Sequence, residues 1–403
     1  AYVDYLKNDL GYIGFRYDMV KGFDGIHVAD YNDAVGVEYS VGEYWDGNDK
    51  IESWINRTNK KSAAFDFQFR YNVRDAVNGT TNGKLGSSSD WSKLYSSNNL
   101  MHDASYRRYA VTFVENHDTQ YRSADSQNDP LRKDTLAANA YLLAMPGTPC
   151  IFQIHWNEYK PELKEMIAAR KLAGITNMSN YVNKTCKKTL YVNEVTGSNH
   201  KLLVAVGDEA SNYAGETGYT KIFKGHHFSY FLSNDAETTW TSMPSGTYEE
   251  GFKTTLTAVS QTEGAKLVYT LDGSNPTVKS TTVESGKQIT INGSCTLKVG
   301  LLINGEVRNI ATHQYKIEKF KAYTFMVYEK MTETKTIGGK IWYYKEFSID
   351  KASELVNVIF NNGEDKPQTV DITGLTNTAY FEIETSIEWK NYKVKDVTSE
   401  YDK

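Results

Sequence analysis

Short apolar runs alternate with helical patterns through residues 1–178, and three of the runs end on an acid. They are Ile13-Gly14-Phe15-Arg16-Tyr17-Asp18, Tyr39-Ser40-Val41-Gly42-Glu43 and Val111-Thr112-Phe113-Val114-Glu115-Asn116-His117-Asp118. Each reads as a buried strand whose last residue points into a loop. Further strands are read at 63–69 and 150–154, and helices at 24–33, 51–58, 131–145 and 161–172. Such alternation is the pattern of βα units around a parallel sheet. In a parallel α/β barrel the strand ends converge on one face, where side chains from separate strands meet. About five strands are counted, whereas a closed barrel has eight.

The texture changes near residue 180. Segments 189–195, 201–206 and 221–232 alternate as antiparallel strands do, and the turns carry Gly, Asn and Ser. The organisation expected is 1–178 as part of a barrel, 179–250 as a small β-sandwich, 251–318 as a second β domain and 319–403 as a third. With 45 Lys and Arg against 50 Asp and Glu, net charge is −5. The absence of a long basic run argues against nucleic acid or an anionic membrane as partner. No apolar run is long enough for a membrane span. Three cysteines, Cys150, Cys186 and Cys295, are too dispersed for a metal-ligand pattern. Aromatic content is high, with 29 Tyr and 7 Trp, which suits β-rich cores and also platforms for sugar rings.

Acids at neighbouring strand ends suit acetal cleavage. A retaining glycosidase needs a carboxylate nucleophile and a protonated acid about 5–5.5 Å apart, and parallel strands lie about 4.8 Å apart. Asp18 and Glu43 are on consecutive strands and meet that requirement. Asp118 is a third acid, suited to holding sugar hydroxyls. Arg16, two residues before Asp18, shares its strand face and can keep it ionised. His117 can donate to a hydroxyl. Asp66, Asp30 and Asp272 are read as structural, Asp66 because no polar partner accompanies it in sequence.

Residues 14–23, Gly14-Phe15-Arg16-Tyr17-Asp18-Met19-Val20-Lys21-Gly22-Phe23, resemble the fourth-strand motif of the α-amylase family (glycoside hydrolase family 13). Val41-Gly42-Glu43-Tyr44-Trp45 resembles its fifth-strand motif, and Phe113-Val114-Glu115-Asn116-His117-Asp118-Thr119 its seventh. Pro146-Gly147-Thr148-Pro149-Cys150-Ile151-Phe152 is similar to the approach to the eighth. The resemblance implies Asp18 as nucleophile, Glu43 as general acid/base and Asp118 as transition-state stabiliser. Arg16 and His117 match partners in the same motifs. Lys21 falls at a substrate contact, Gly22 at a backbone calcium ligand, and Trp45 beside the leaving group. The fold implied is a partial (β/α)8 TIM barrel, about strands 4–8, followed by three all-β domains of β-sandwich type.

The family's earlier Asn-His motif and its irregular calcium-binding domain have no match here. Most calcium ligands are therefore expected outside this chain, as is the N-terminal part of the barrel. Tyr269-Thr270-Leu271-Asp272-Gly273-Ser274-Asn275-Pro276-Thr277 resembles the small β domain of chitobiase-type enzymes. Asn357-Val358-Ile359-Phe360-Asn361-Asn362-Gly363, with Pro367-Gln368-Thr369, resembles a family-26 starch-binding module. Its candidate sugar contacts are Tyr328, Trp342 and Tyr344, with Tyr323 and Gln368 beside them. The function implied is that of a secreted or cell-surface monomeric α-amylase. It would act on starch, amylose or malto-oligosaccharides, cutting internal α-1,4 bonds with retention. The alternative is a non-catalytic α-glucan-binding protein with an incomplete barrel.

Overall fold

The computed structural model describes residues 2–401, apart from 82–83, 97, 124–125, 128, 319–330, 332, 345–355, 361–368, 371, 376–377 and 389–390. The chain divides into two compact units, Ala1–Phe320 and Lys321–Lys403.

The first unit opens with a parallel sheet of five strands, β1 Gly14–Tyr17, β2 Tyr39–Gly42, β3 Ala63–Phe65, β4 Ala110–Thr112 and β5 Thr148–Pro149. Their order in space is their order in the chain, and every neighbouring pair is parallel. Helices α1 Gly25–Val35, α2 Asn48–Arg57, α3 Phe67–Asn78 and α4 Thr135–Ala144 make the crossovers. After β5 come α5 Gln153–Glu158 and α6 Lys160–Ala173. Parallel pairing puts every strand's C-terminal end on one edge, so Asp18, Glu43 and Asp66 leave the sheet on the same side. The sheet is open, with β1 and β5 at its edges.

Alternation along each strand sorts the two faces. Val41, Ala63 and Val111 pack with Phe65 on one face. Ser40 faces the other way, accepting from Asn32 of α1 at 2.8 Å and donating to Ser62 at 2.8 Å. Gly42 also faces the helices. A Cβ there would lie 2.1 Å from the Trp54 indole of α2, so only glycine lets this ring close over the end of β2.

Two elements depart from the sequence reading. The strand expected over 63–69 stops at Phe65, and α3 starts at Phe67. Asp66 caps that helix, accepting from the Phe69 N–H at 3.0 Å. The alternation of Phe65, Phe67, Phe69 and Tyr71 mimics a strand, but Phe69, Val73, Ala76 and Val77 form the buried stripe of a helix. The strand expected over 150–154 is only Thr148–Pro149, because α5 begins at Gln153 and buries His155. Asp272 is a turn residue, accepting from the Ser274 N–H at 2.9 Å. Asp30 lies inside α1, 3.8 Å from His27, rather than at a cap.

Residues 180–233 form one antiparallel sheet where a two-sheet sandwich was expected. Its strands are β6 Asn180–Cys186, β7 Tyr191–Thr196, β8 Lys201–Val206, β9 Tyr219–Gly225 and β10 Phe228–Ser233, in spatial order β9-β10-β8-β7-β6. Tyr191, Val195, Leu202, Val204, Tyr230 and Leu232 point into a core shared with α4 and α6. Val192, Leu203, Ala205 and Phe231 point to a second cluster on the opposite face. The junction is also polar: buried Arg170 of α6 donates to the carbonyls of Leu143 (2.9 Å), Met145 (2.6 Å) and Gly147 (2.8 Å).

Two further sheets follow. One is β11 Thr238–Thr241, β13 Phe252–Val259 and β16 Lys287–Ile291. The other joins β12 Gly246–Tyr248, β14 Lys266–Thr270, β15 Thr281–Val283, β17 Cys295–Ile303 and β18 Glu306–Ile317, in the order β12-β18-β17-β14-β15. Leu256, Leu267, Ile291, Leu297, Val299, Leu301 and Tyr315 fill the space between them. Strands β11 and β12 precede residue 250 yet pair with strands that follow it.

In the second unit the described residues form three antiparallel pairs. These are β19 Glu333–Ile337 with β20 Lys340–Tyr344, β21 Val356–Val358 with β22 Ile372–Leu375, and β23 Phe381–Glu388 with β24 Asn391–Asp396.

Candidate active site

The pairing of β1 with β2 runs one step beyond the strands, as the Glu43 N–H donates to the Tyr17 carbonyl at 2.9 Å. Asp18 and Glu43 therefore leave the sheet side by side. The chain then turns sharply. Met19 takes φ +44°, a left-handed conformation that a methionine adopts only at a cost of about 1–3 kcal/mol. That turn aims the Met19 N–H at Glu43 Oε2, 3.3 Å away, and Val20 N–H donates to the Glu43 carbonyl at 3.1 Å. Backbone strain at Met19 is thus coupled to the placement of the Glu43 carboxyl.

Arg16 joins the two acids. Its Nη1 donates to Asp18 Oδ1 at 2.7 Å and its Nη2 lies 3.1 Å from Glu43 Oε2, while the guanidinium rests over the Phe65 ring at 5.9 Å. The surroundings of the acids differ. The Asp18 side chain is 70% exposed and that of Glu43 only 8%. The hydrogen bond from Arg16 holds the Asp18 carboxyl below the ordinary carboxylate range, and a hydrogen bond from Glu43 acts the same way. Burial pushes Glu43 up, despite the Met19 N–H and Arg16 pulling down, and the proton it shares with Asp18 reinforces the rise. A proton shared by the pair therefore favours Glu43, and the charge favours Asp18. Both carboxyls bond one guanidinium, whereas a retaining pair with sugar between them stands about 5–5.5 Å apart. Asp18 is the exposed partner and has room to swing away.

Asp118 lies in the loop after β4. Its Oδ2 is 3.3 Å from His117 Nε2 and its Oδ1 3.5 Å from Arg122 Nη2. The Asn116 side chain shapes this loop, accepting from the N–H groups of Asp118 and Thr119 at 3.0 Å each. His117 lies close enough to Asp18 to lower its pKa. Beneath the loop, buried Glu115 pairs with His155 at 3.0 Å and accepts from the Leu131 N–H at 2.8 Å, which ties 115 to 131.

Lys21 is engaged by Asp46 at 2.8 Å and by the Trp45 carbonyl at 3.2 Å. Trp45 stacks on Phe67 (5.0 Å between centroids, 14° between planes) and donates to Tyr71 Oη at 2.8 Å, so its ring is held rigidly. Gly22 closes a short 3-10 turn, its N–H donating to the Met19 carbonyl at 3.0 Å. Calcium takes six to eight oxygens, and a lone backbone carbonyl is one. Gly22 can offer that one oxygen, and a calcium there needs five or more others.

Of the module residues, Tyr328, Tyr323 and Gln368 lie outside the described residues. Trp342 and Tyr344 share one face of β20, and both are half-buried. The Trp342 ring meets the edges of Tyr380 and Tyr401, at 5.4 and 5.0 Å. Sequence reasoning missed Phe65 under Arg16, Tyr71 behind Trp45 and Arg122 beside Asp118. The i,i+4 spacing of Asp118 and Arg122 was the one available signal.

Residues 16–155 match the alpha amylase catalytic domain, and residues 243–306 match the chitobiase/beta-hexosaminidase C-terminal domain. A glucan 1,4-alpha-maltotetraohydrolase of Roseateles saccharophilus is 28% identical over 227 residues, 51% of this chain and 39% of that protein. A probable alpha-amylase 2 of Arabidopsis thaliana is 26% identical over 254 residues, 57% of each. An alpha-amylase type B isozyme of Hordeum vulgare is 35% identical over 101 residues, 24% of this chain and 62% of that protein. The matched stretches span 39% to 62% of the length of these relatives. Two stretches of this chain are thus similar to known domains, residues 16–155 to an alpha amylase catalytic domain and residues 243–306 to a chitobiase/beta-hexosaminidase C-terminal domain.

Proposed function

We propose that this chain carries the reacting acids of a secreted or cell-surface α-amylase, which hydrolyses internal α-1,4 bonds of starch-like glucans with retention. The observation that carries the reading is the opposed pair on one arginine: exposed Asp18 shifted down, buried Glu43 shifted up. In the first step an Asp18 oxygen bonds to the anomeric carbon. The glycosidic C–O bond breaks, its electron pair stays on the leaving oxygen, and Glu43 gives that oxygen its proton. In the second step Glu43, now a carboxylate, takes a proton from water, whose oxygen displaces Asp18. Asp118 and His117 would hold hydroxyls of the same sugar. Trp45 would offer a fixed apolar surface beside the leaving group, with Lys21 at its rim. Calcium enters no step here. For residues 319–403 the reading is α-glucan binding through Trp342 and Tyr344, supported by the sequence resemblance.

The two acids separate by leaving group. In the full-length protein Glu43→Gln is expected to slow starch hydrolysis about 10²–10⁴-fold, the ordinary worth of a general acid. On an aryl malto-oligosaccharide whose phenol needs no protonation, the first step should survive as a burst of phenol. Asp18→Asn should lose both reactions. Near-normal starch turnover in either variant, or an equal loss of the burst in both, overturns the assignment.

A second reading, glucan binding without cleavage, draws on the open edges of β1 and β5. Release of reducing sugar from amylose by the 403-residue chain alone would eliminate it.

A further inference from the structure

The first turn of α4 meets the turn between β9 and β10 at a cluster that the acid site does not use. Asp134 is the N-cap residue of α4, its carbonyl accepting from the Ala138 N–H at 2.9 Å. An N-cap aspartate ordinarily takes an extended backbone and bonds its carboxylate to the helix's own N–H groups. Asp134 does neither. Its φ is +52°, and its side chain makes no capping bond. The carboxylate turns instead toward two consecutive histidines. Its Oδ1 is 2.8 Å from His227 Nδ1 and 3.6 Å from His226 Nε2. Its Oδ2 is buried with no hydrogen-bond partner, on a side chain only 4% exposed. His227 also has a left-handed backbone, φ +60°, and the two imidazoles stack with centroids 3.6 Å apart. Asp208 Oδ1 lies 3.9 Å from His227 Nδ1.

A simple Asp–His hydrogen bond accounts for Oδ1. It leaves the buried Oδ2, the abandoned cap and the second imidazole without a purpose. We propose that Asp134, His226 and His227 ligate a transition-metal dication of the zinc type, with Asp208 or water at the fourth position. Donor atoms of the three residues lie within 4.8 Å of one another. Tetrahedral bonds of about 2.0–2.1 Å place ligand atoms about 3.3 Å apart. The separations of 2.8, 3.6 and 3.9 Å straddle that value, so small side-chain rotations suffice. Two imidazoles select zinc-like ions over calcium or magnesium, which take oxygen. The ion would join the Asp134 carboxylate to both imidazoles and pin α4 to the sheet behind it.

The test uses the tag-free 403-residue chain after chelator treatment, titrated with zinc chloride by calorimetry and with cobalt(II) by visible absorption. One zinc per chain is expected, with the intense bands of tetrahedral cobalt, and a thermal midpoint that rises with zinc. His226 is mostly exposed, so His226→Ala should fold normally by circular dichroism. It should weaken zinc at least about tenfold, the least that loss of even a supporting partner costs. Asp134→Asn should do the same, and calcium chloride should not compete. No saturable zinc binding overturns the proposal, as does His226→Ala binding zinc with unchanged affinity or gaining the same thermal shift.

Discussion

Strands β2 and β3 are neighbours, and each delivers an acid to the same edge of the sheet, with opposite results. Asp66, after β3, is wholly enclosed and accepts from the Phe69 and Met101 N–H groups at 3.0 and 2.9 Å. Burial raises its pKa to about 6. Glu43, after β2, is nearly as enclosed but meets a cation and a second acid. What separates the structural acid from the one proposed to react is therefore the partner, not the burial. Backbone donors tie Asp66 to α3. Arg16 holds down Asp18 beside Glu43, whose own burial favours the proton.

The comparison breaks most visibly on removal of Asp66. Asp66→Ala strands two buried N–H groups at about 1–3 kcal/mol each and should cost about 3–4 kcal/mol of folding free energy. Glu43→Gln should cost under about 1 kcal/mol while slowing starch hydrolysis about 10²–10⁴-fold. Urea unfolding of both variants, read beside activity, checks the pair. Equal stability losses would erase the distinction.

The pH dependence of Asp66 comes next in size. Its folded pKa of about 6 lies above the unfolded value near 3.8, so the folded state holds the extra proton between them. Stability from this group is full below about pH 4 and is lost as pH rises through about 6. The loss is about 3 kcal/mol for about two pH units. The stability of wild type relative to Asp66→Asn should therefore decline from pH 4 to pH 7. A flat difference would mean that the N–H donors outweigh burial.

Gly42→Ala probes the root of Glu43. Its methyl would meet the Trp54 ring at 2.1 Å, and overpacking of this kind costs about 1–3 kcal/mol. The ring or the strand end must shift, and kcat should fall more than KM rises. Unchanged kcat would show that Glu43 tolerates such movement.

Arg16→Met gives the smallest expected change and the sharpest reading of the site. Arg16 lowers both acids, so its loss should raise both. Both limbs of the kcat/KM profile should move toward alkaline pH. The acid limb belongs to Asp18 losing charge and the alkaline limb to Glu43 losing its proton. Limbs that stay fixed or move apart would remove Arg16 from the pair.

Much of this site was legible because its residues are local in sequence. Arg16, Asp18 and Glu43 lie at or just beyond the ends of strands that read as strands, and their pairing follows from βα order. The helix at Phe67–Asn78 was not legible, since four aromatics at alternate positions imitate a strand and the deciding contact is the Asp66 cap. The donors to Asp66 come partly from Met101, 35 residues on. Asp134 and His227 are 93 residues apart, and nothing in either segment announces the other. Strands β11 and β12 were placed before a boundary at 250 because their partners are long-range.

The core that runs unbroken from α4 and α6 into one face of the β6–β10 sheet bears on how the chain can be divided. A cut near residue 178, where the texture of the sequence changes, would bare Tyr191, Leu202, Val204 and Tyr230 on one piece and the inner sides of two helices on the other. Swapping catalytic halves between relatives should therefore carry this sheet along, placing the seam nearer 237, where the backbone passes into the next pair of sheets.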